Sequence, residues 1–340
     1  MAETKNILVI RFSSMGEVVL TAPLFVALKQ CFSESSIYLL TDSRFEELFK
    51  DNPYLSGVSG TLKNDWRALE KLKSIEWDLV VDLQRDKRSL LAVEALPYKK
   101  MTRFIDNVYF REWLQLWLRA GSFSDKNSIV YRYLKAAELN GEELPPARLI
   151  FNSPVPSEVR LMLESSGIIR PSVAIFPFSS RANKNWPMEY FIEVGSFFVV
   201  KGWNILIMGS PAKKEFCELL ASYIGTHCYS LAGKLTLYEC GTVLQHCDLA
   251  LGNDTGLTHL ARACGVKTGI IFGPTTHQFG LYPYGDPPFK IFESGLWCRP
   301  CSTRGGNICF FGKACVGKIR PETVIKELIE LISLKPEIHS

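Results

Sequence analysis

The sequence predicts an α/β protein made of two Rossmann-like parallel-sheet domains that face one another across a cleft. Three observations carry that expectation. Short aliphatic and β-branched runs alternate with longer helical stretches along the chain, the pattern of strands covered by helices on both faces. The alternation breaks once, in a proline-rich polar stretch from Glu142-Glu143-Leu144-Pro145-Pro146 to Asn152-Ser153-Pro154-Val155-Pro156, which reads as a linker. A length of 340 residues suits two domains of roughly 150–170 residues each. The expected division is residues 1–155, residues 156–320, and a C-terminal helix and tail at 321–340 that packs back on the N-terminal domain.

Element by element, Ile7–Ile10 is a short buried strand, followed by a helix from Val18 to Phe32 that Pro23 kinks or restarts. Ile37–Thr41 is a second strand, Phe45–Lys50 a short helix, Leu79–Leu83 a buried strand and Ser89–Leu96 a helix. Beyond the linker come strand Val173–Phe176, helix Met188–Val200, strand Ile205–Met208 and helix Lys213–Tyr223. Helix Leu237–Gln245, strand Leu249–Leu251, helix Leu257–Cys264 and strand Gly269–Phe272 follow. An amphipathic helix from Glu322 to Leu334 closes the pattern.

The composition, 47% hydrophobic and 22% charged, is that of a globular protein and excludes disorder as the main story. A net charge of +4 is weak for a nucleic-acid binder of this size. Only four apolar residues separate the polar N-terminus from Arg11, too few for a secretory core. No apolar run approaches the ~18 residues of a membrane span, so the expectation is a soluble cytoplasmic protein. In that setting the ten cysteines are reduced thiols or metal ligands. Cys31, Cys217, Cys228, Cys240, Cys247 and Cys264 sit in apolar or helical contexts and read as small buried hydrophobes.

Three segments could carry chemistry. The first, Arg11-Phe12-Ser13-Ser14-Met15-Gly16-Glu17-Val18, follows the first strand, at the sheet edge where ligands of open parallel sheets bind. Ser13, Ser14 and Gly16 offer small side chains and backbone N–H groups, while Glu17 in the first helical turn also suits the helix dipole. The second, Pro177-Phe178-Ser179-Ser180-Arg181-Ala182-Asn183-Lys184-Asn185-Trp186-Pro187, offers hydroxyls and two cations to a diphosphate. Trp186-Pro187 within it reads as the packed start of a helix. The third, Gly252-Asn253-Asp254-Thr255-Gly256-Leu257-Thr258-His259, is a strand–turn–helix junction that presents N–H groups to an anion, with Asp254 suited to an N-cap. His259 reads as a packed, hydrogen-bonded residue, and Gly273-Pro274-Thr275-Thr276 adds a turn at the same edge. Neither G-x-G-x-x-G after a strand nor a Walker sequence is present.

Together, Ser-Ser-Met-Gly-acid, Ser-Ser-x-x-x-Lys-x-Trp-Pro and Asp-Thr-Gly-Leu-x-His-Leu, with Asp82-Leu83-Gln84 and Arg88-Ser89, resemble the lipopolysaccharide heptosyltransferases of glycosyltransferase family nine. The resemblance runs from about Asn6 to Arg320. It implies a GT-B arrangement, with the active site between two Rossmann-like domains, that moves a heptose from ADP-heptose to the lipopolysaccharide inner core with inversion. By resemblance Glu17 is the general base, where the family more often has aspartate; the longer side chain requires the backbone or the acceptor pose to compensate. Lys184 would contact phosphate, with Ser179 and Ser180 at the hydroxyl positions. Asp254, Thr255, Gly256, His259 and Glu215 would belong to the donor side, and Ser14, Gly16, Lys87 and Arg88 to the acceptor side.

The implied partners are the nucleotide sugar and a lipid-linked core acceptor, with peripheral contact at the inner membrane face and no nucleic acid. The segment from Arg85 to Arg119 carries eight Lys/Arg against four Asp/Glu; it suits an anionic leaflet, or is simply a solvated face. No Asp-x-Asp is present, which speaks for catalysis without a divalent cation or other cofactor. Cys298, Cys301, Cys309 and Cys315 lie within 18 residues, spaced to close a structural Zn or Fe site away from the chemistry, to form reversible disulfides, or to remain thiols. Two alternatives stand beside the heptosyltransferase reading: a transferase using another nucleotide sugar for a surface glycan, and a non-catalytic glycan- or nucleotide-binding module.

Overall fold

The computed structural model describes residues 5–62, 67–104, 114, 118, 128–139, 145–164, 171–281 and 287–334. The chain divides into two compact units, Met1–Tyr109 with Ser122–Ile150, and Phe110–Gly121 with Phe151–Ser340. Residues 145–150, just before the Ile150/Phe151 division, have no regular structure, and 142–144 of the expected linker lie outside the described residues.

The first unit contains β1 (Asn6–Ile10), α1 (Met15–Val19), α2 (Ala22–Cys31), β2 (Ser36–Asp42), β3 (Gly57–Thr61), α3 (Arg67–Lys73), β4 (Trp77–Asp82), α4 (Lys87–Glu94), β5 (Tyr98–Arg103) and α5 (Ile129–Ala136). Its five strands pair in parallel in the order β3-β2-β1-β4-β5. Ile7, Leu8, Val9 and Ile10 are fully buried, as a central strand covered on both faces requires. Trp77 closes one side of this core, its ring edge-on to Tyr38 and its indole N–H donated to the Leu72 carbonyl.

The second unit contains α6 (Ser157–Glu164), β6 (Ser172–Phe176), α7 (Met188–Val200), β7 (Asn204–Ile207), α8 (Lys214–Ile224), β8 (Cys228–Ser230), α9 (Leu237–Leu244), β9 (Leu249–Asn253), α10 (Gly256–Ala263), β10 (Lys267–Phe272), β11 (Phe289–Glu293), α11 (Ala314–Gly317) and α12 (Pro321–Ser333). Its six parallel strands run β11-β10-β9-β6-β7-β8. Both sheets thus have the Rossmann strand order, with reversal points between β1 and β4 and between β6 and β9. Ligands of open parallel sheets bind outside the carboxyl ends of the strands at such points.

Several expectations change. The helix expected from Val18 to Phe32 does restart at Pro23, but its first part begins earlier, at Met15, and Pro23 lies in the first turn of α2, where its missing N–H costs nothing. Phe45–Lys50 tightens into a 3₁₀ turn at Glu46–Phe49. The final helix α12 packs against α7, β10 and β11 of the second unit, and the tail beyond Leu334 lies outside the described residues. The helix packs there because Val324, Leu328 and Leu331 complete that unit's core. Cys31, expected to be buried, ends α2 exposed, while Cys217, Cys240 and Cys247 are buried and Cys228 and Cys264 partly so. Burial pushes the Cys217, Cys240 and Cys247 thiols up to about 12, leaving them protonated packing groups.

Candidate active site

At the first reversal point, the loops after β1 and β4 are tied together by one side chain. Gln84 accepts the backbone N–H groups of Phe12 and Ser13 at 2.9 and 3.0 Å, and donates to Asp86 at 2.9 Å. Asp82, fully buried at the end of β4, takes the N–H groups of Gln84 and Arg85, the Ser89 hydroxyl and Arg103. Those bonds fix the turn that Asp86 caps at the start of α4.

Glu17 is held on this frame. Its Oε1 pairs with Arg11 at 2.6 Å, and its Oε2 accepts the Ser14 backbone N–H at 2.6 Å and the Ser14 hydroxyl at 3.0 Å. Arg11 is fixed in turn, donating to the Leu83 carbonyl. Burial works to raise the Glu17 carboxyl, but the Arg11 charge and the Ser14 and Arg11 hydrogen bonds outweigh it and hold it below the usual carboxylate range. Glu17 is therefore a carboxylate anion at neutral pH. Ser14 is the residue before α1, and Gly16 is buried within that helix.

The two cations expected on the acceptor side separate. Lys87 is exposed. Arg88 turns inward, bonded to Asp42 at 3.0 Å and to the Thr61 carbonyl, with its guanidinium 4.0 Å from the centre of the Phe12 ring. It braces the ends of β2 and β3. Lys99 pairs with Asp78, Lys100 with Glu138 and Arg103 with Asp82. Much of the basic excess read between Arg85 and Arg119 is thus matched by acids elsewhere in the unit, and most of its second half lies outside the described residues.

At the second reversal point, Lys184 and Asp254 come together from the loops after β6 and β9. Lys184 Nζ lies 2.5 Å from Asp254 Oδ2, with the two side chains 12% and 8% exposed. Thr275 donates its hydroxyl to the same oxygen at 3.0 Å, and buried His259 places Nε2 3.7 Å from Oδ1. Burial alone would raise the Asp254 carboxyl; Lys184 and His259 override it and hold it far below the carboxylate range. The N-cap expected at Asp254 falls one residue later, at Thr255. Gly256 and Leu257 open α10, so their N–H groups have no partner within the helix.

Asn253 sets the spacing between these loops. It is fully buried, donates to the Pro177 carbonyl at 2.7 Å and accepts the Trp186 N–H at 2.9 Å. Ser179 is fixed by Asn185, whose side chain takes its N–H at 2.7 Å, while Ser180 is exposed. Glu215 is exposed in the first turn of α8, after β7.

The cysteine segment is not remote from this site. Gly305 has a positive φ of 79°, and a Cβ built on it would come within 2.8 Å of Lys184 Cε. Asn183 exchanges hydrogen bonds with Gly306, and Arg299 donates to the carbonyls of Gly273 and Thr275. The segment therefore forms a wall against Lys184 and the turn that carries Thr275. Burial, then the neighbouring thiols, raises Cys301 and Cys315: Cys298 and Cys309 act on Cys301, and Cys301 and Cys309 on Cys315. Even so, among the described residues no group of three or more His, Cys, Asp or Glu side chains is gathered to hold a metal ion.

Residues 66–308 match the sequence profile of glycosyltransferase family 9 (heptosyltransferase). The chain belongs to that family. This glycosyltransferase is 24% identical over 330 residues to lipooligosaccharide heptosyltransferase 2 of Campylobacter jejuni, covering 94% of this chain and 95% of the relative. Its fold is that of the family 9 glycosyl transferase of Veillonella parvula (TM-score 0.79, 18% identity, 97% and 98% of the two chains). It is likewise that of E. coli ADP-heptose lps heptosyltransferase II (TM-score 0.74, 19% identity, 96% and 98%). Among the described residues, no helix of the transferase is long and apolar enough to cross a membrane.

Sequence reasoning missed the fixing groups: Arg11, Asn253, Arg299 and Gly305. Asn253 alone carried a signal, a polar side chain at the end of an apolar strand and next to a site residue. Arg299 and Gly305 act on partners far away in sequence, and Arg11 joins nearby Glu17 to the distant Leu83 carbonyl.

Proposed function

We propose that this glycosyltransferase moves a heptose from ADP-heptose to a lipid-linked lipopolysaccharide inner-core acceptor, with inversion at the anomeric carbon. The observation that carries the proposal is the Lys184–Asp254 pair beside the start of α10, at the strand reversal where a diphosphate fits. Ser179, Ser180, Thr255, Gly256, His259 and Glu215 complete the donor side; Ser14, Gly16, Lys87 and, through its bracing, Arg88 serve the acceptor side. The acceptor oxygen attacks the anomeric carbon and its proton passes to Glu17. The bond from that carbon to the diphosphate oxygen breaks, and ADP leaves with the electron pair. Lys184 and the Thr255–Gly256 amides meet the charge that grows on the leaving oxygen.

Catalysis proceeds in this reading without a divalent cation, because a lysine and a helix N-terminus occupy the cation's role. A structural Zn or Fe held by Cys298, Cys301, Cys309 and Cys315 would require the four thiols to draw closer than they stand here. Elemental analysis of anaerobically purified protein decides that question. The acceptor's lipid brings the enzyme to the cytoplasmic face of a membrane as a peripheral protein.

The test is ADP release from ADP-heptose with a truncated core acceptor, run beside UDP- and GDP-sugars and with EDTA. Turnover with ADP-heptose alone, unaffected by EDTA, is expected. Preference for another nucleotide sugar would replace the donor, and nucleotide binding without turnover of any donor would make the chain a binding module.

A further inference from the structure

From Ser294 to Pro321, a run of 28 residues, the chain carries Arg299, Arg304, Lys313, Lys318 and Arg320 and no aspartate or glutamate. The same stretch exposes large apolar side chains: Phe310 is 94% exposed, Ile308 78%, Trp297 62% and Phe311 52%. The Trp297 and Phe311 rings pack edge to face, 5.2 Å between centres, which brings the two ends of this stretch together, with Phe310 next to Phe311 and Ile308 just before it in the chain.

The exposure is not that of a frayed segment. Gly306 is bonded to Asn183 on one side of the tip, and Cys315 and Val316 are buried in the second unit's core on the other. A loop anchored at both ends thus holds its apolar tip in water, a standing cost in free energy unless something covers it. The charge pattern says what. Arg299 is taken up by Glu293 just before this stretch, but aromatic and aliphatic tips on a segment with four further cations and no acid match the boundary of an anionic bilayer, where rings enter the headgroup layer and cations meet lipid phosphate. A second copy of the same patch would bring like charges face to face in a two-fold contact.

We propose that the loop from Trp297 to Lys318 is a membrane-docking surface that places Ile308, Phe310 and Phe311 in the headgroup boundary of an anionic bilayer. This deepens the proposed function and rests on it only in that the acceptor is lipid-linked. It moves the membrane contact away from the first unit's basic segment, where Lys99, Lys100 and Arg103 are already ion-paired.

The experiment is co-sedimentation of the full chain with vesicles of phosphatidylcholine alone or mixed with phosphatidylglycerol, without donor or acceptor. Binding to the mixed vesicles and little to the neutral ones is expected. Ile308→Ser combined with Phe310→Ser should lower partitioning at least ~10-fold, since each removes a buried apolar group from the bound state. Lys313→Gln combined with Lys318→Gln should lower it roughly 25-fold, at about fivefold per cation. Both variants should keep the wild-type melting temperature and turnover on a soluble acceptor. Vesicle binding equal to wild type in both variants would overturn the proposal, as would a wild-type dimer that Ile308→Ser/Phe310→Ser converts to monomer. Vesicle binding without turnover would sink the transferase reading and leave the docking surface standing; turnover without vesicle binding would do the reverse.

Discussion

Replacing Asp254 with asparagine isolates a charge from a shape. The two side chains are nearly isosteric, and an amide oxygen can still accept the Thr275 hydroxyl, which now lies 3.0 Å from the carboxylate. What disappears is the counter-ion of Lys184, 2.5 Å away in a site where the two side chains are 12% and 8% exposed. Opposite unit charges about 4 Å apart attract by on the order of 4 kcal/mol at an effective dielectric near 20. Removing one member of a buried pair typically costs ~3–5 kcal/mol, because the other charge remains desolvated. At ~2–4 °C per kcal/mol for a unit of this size, Asp254→Asn should lower the melting temperature by roughly 10 °C.

Adding Lys184→Met removes the stranded cation, so the double variant should recover most of that loss. The pH dependence has a definite sign: the folded-state carboxyl is held far below its ordinary value, so its stabilisation is complete above the unfolded pKa and is lost as pH falls through the folded one. The gap in melting temperature between wild type and Asp254→Asn should therefore persist from pH 8 to about 5 and narrow only below about 4. Differential scanning calorimetry on the single and double variants across that range is the assay. A single variant melting within about 2 °C of wild type, or a double variant as unstable as the single, would refute the reasoning.

Three further substitutions probe the two reversal points. Glu17→Gln should lower turnover by ~10²–10⁴ while leaving ADP affinity, measured by calorimetry, close to wild type; turnover within a few-fold of wild type would remove Glu17 from the mechanism. Lys184→Ala should weaken both ADP and donor binding, and lower kcat as well if the leaving group's growing charge is what Lys184 meets; unchanged affinities and kcat would make it a structural ion-pair partner only. Gly305→Ala puts a methyl group 2.8 Å from Lys184 Cε at a backbone φ of 79°, and ADP affinity should fall about tenfold as the lysine is displaced. Gly295→Ala, where an added Cβ meets nothing within 4 Å, is the control and should bind like wild type.

The sequence was readable where a residue's own environment decides its structure. Central parallel strands are apolar on both faces, so Ile7–Ile10 and Val173–Phe176 declared themselves. Edge strands did not: β5 carries Lys99, Lys100 and Arg103 and β3 reads Gly-Val-Ser-Gly-Thr, because one side of each has no covering strand to demand an aliphatic run. The candidate site followed the same division. Its loops were legible because strand reversal places ligands at carboxyl ends, and that rule needs only the order of strands and turns. Its internal bonding was not, since Lys184 and Asp254 stand 70 residues apart and nothing local announces their pairing. Aspartate before a helix is ordinarily an N-cap, yet here the extended backbone of Thr255 starts α10 one residue later. That shift leaves the Asp254 carboxylate facing Lys184, and the local rule yields to a long-range charge. Glu17 accepts the N–H that a first-turn acid normally takes, and it also takes Arg11, a bond that lowers its basicity while fixing its direction. The base proposed here would depend on orientation more than on proton affinity, so neutralising Arg11 should misplace the Glu17 carboxylate as well as raise its pKa.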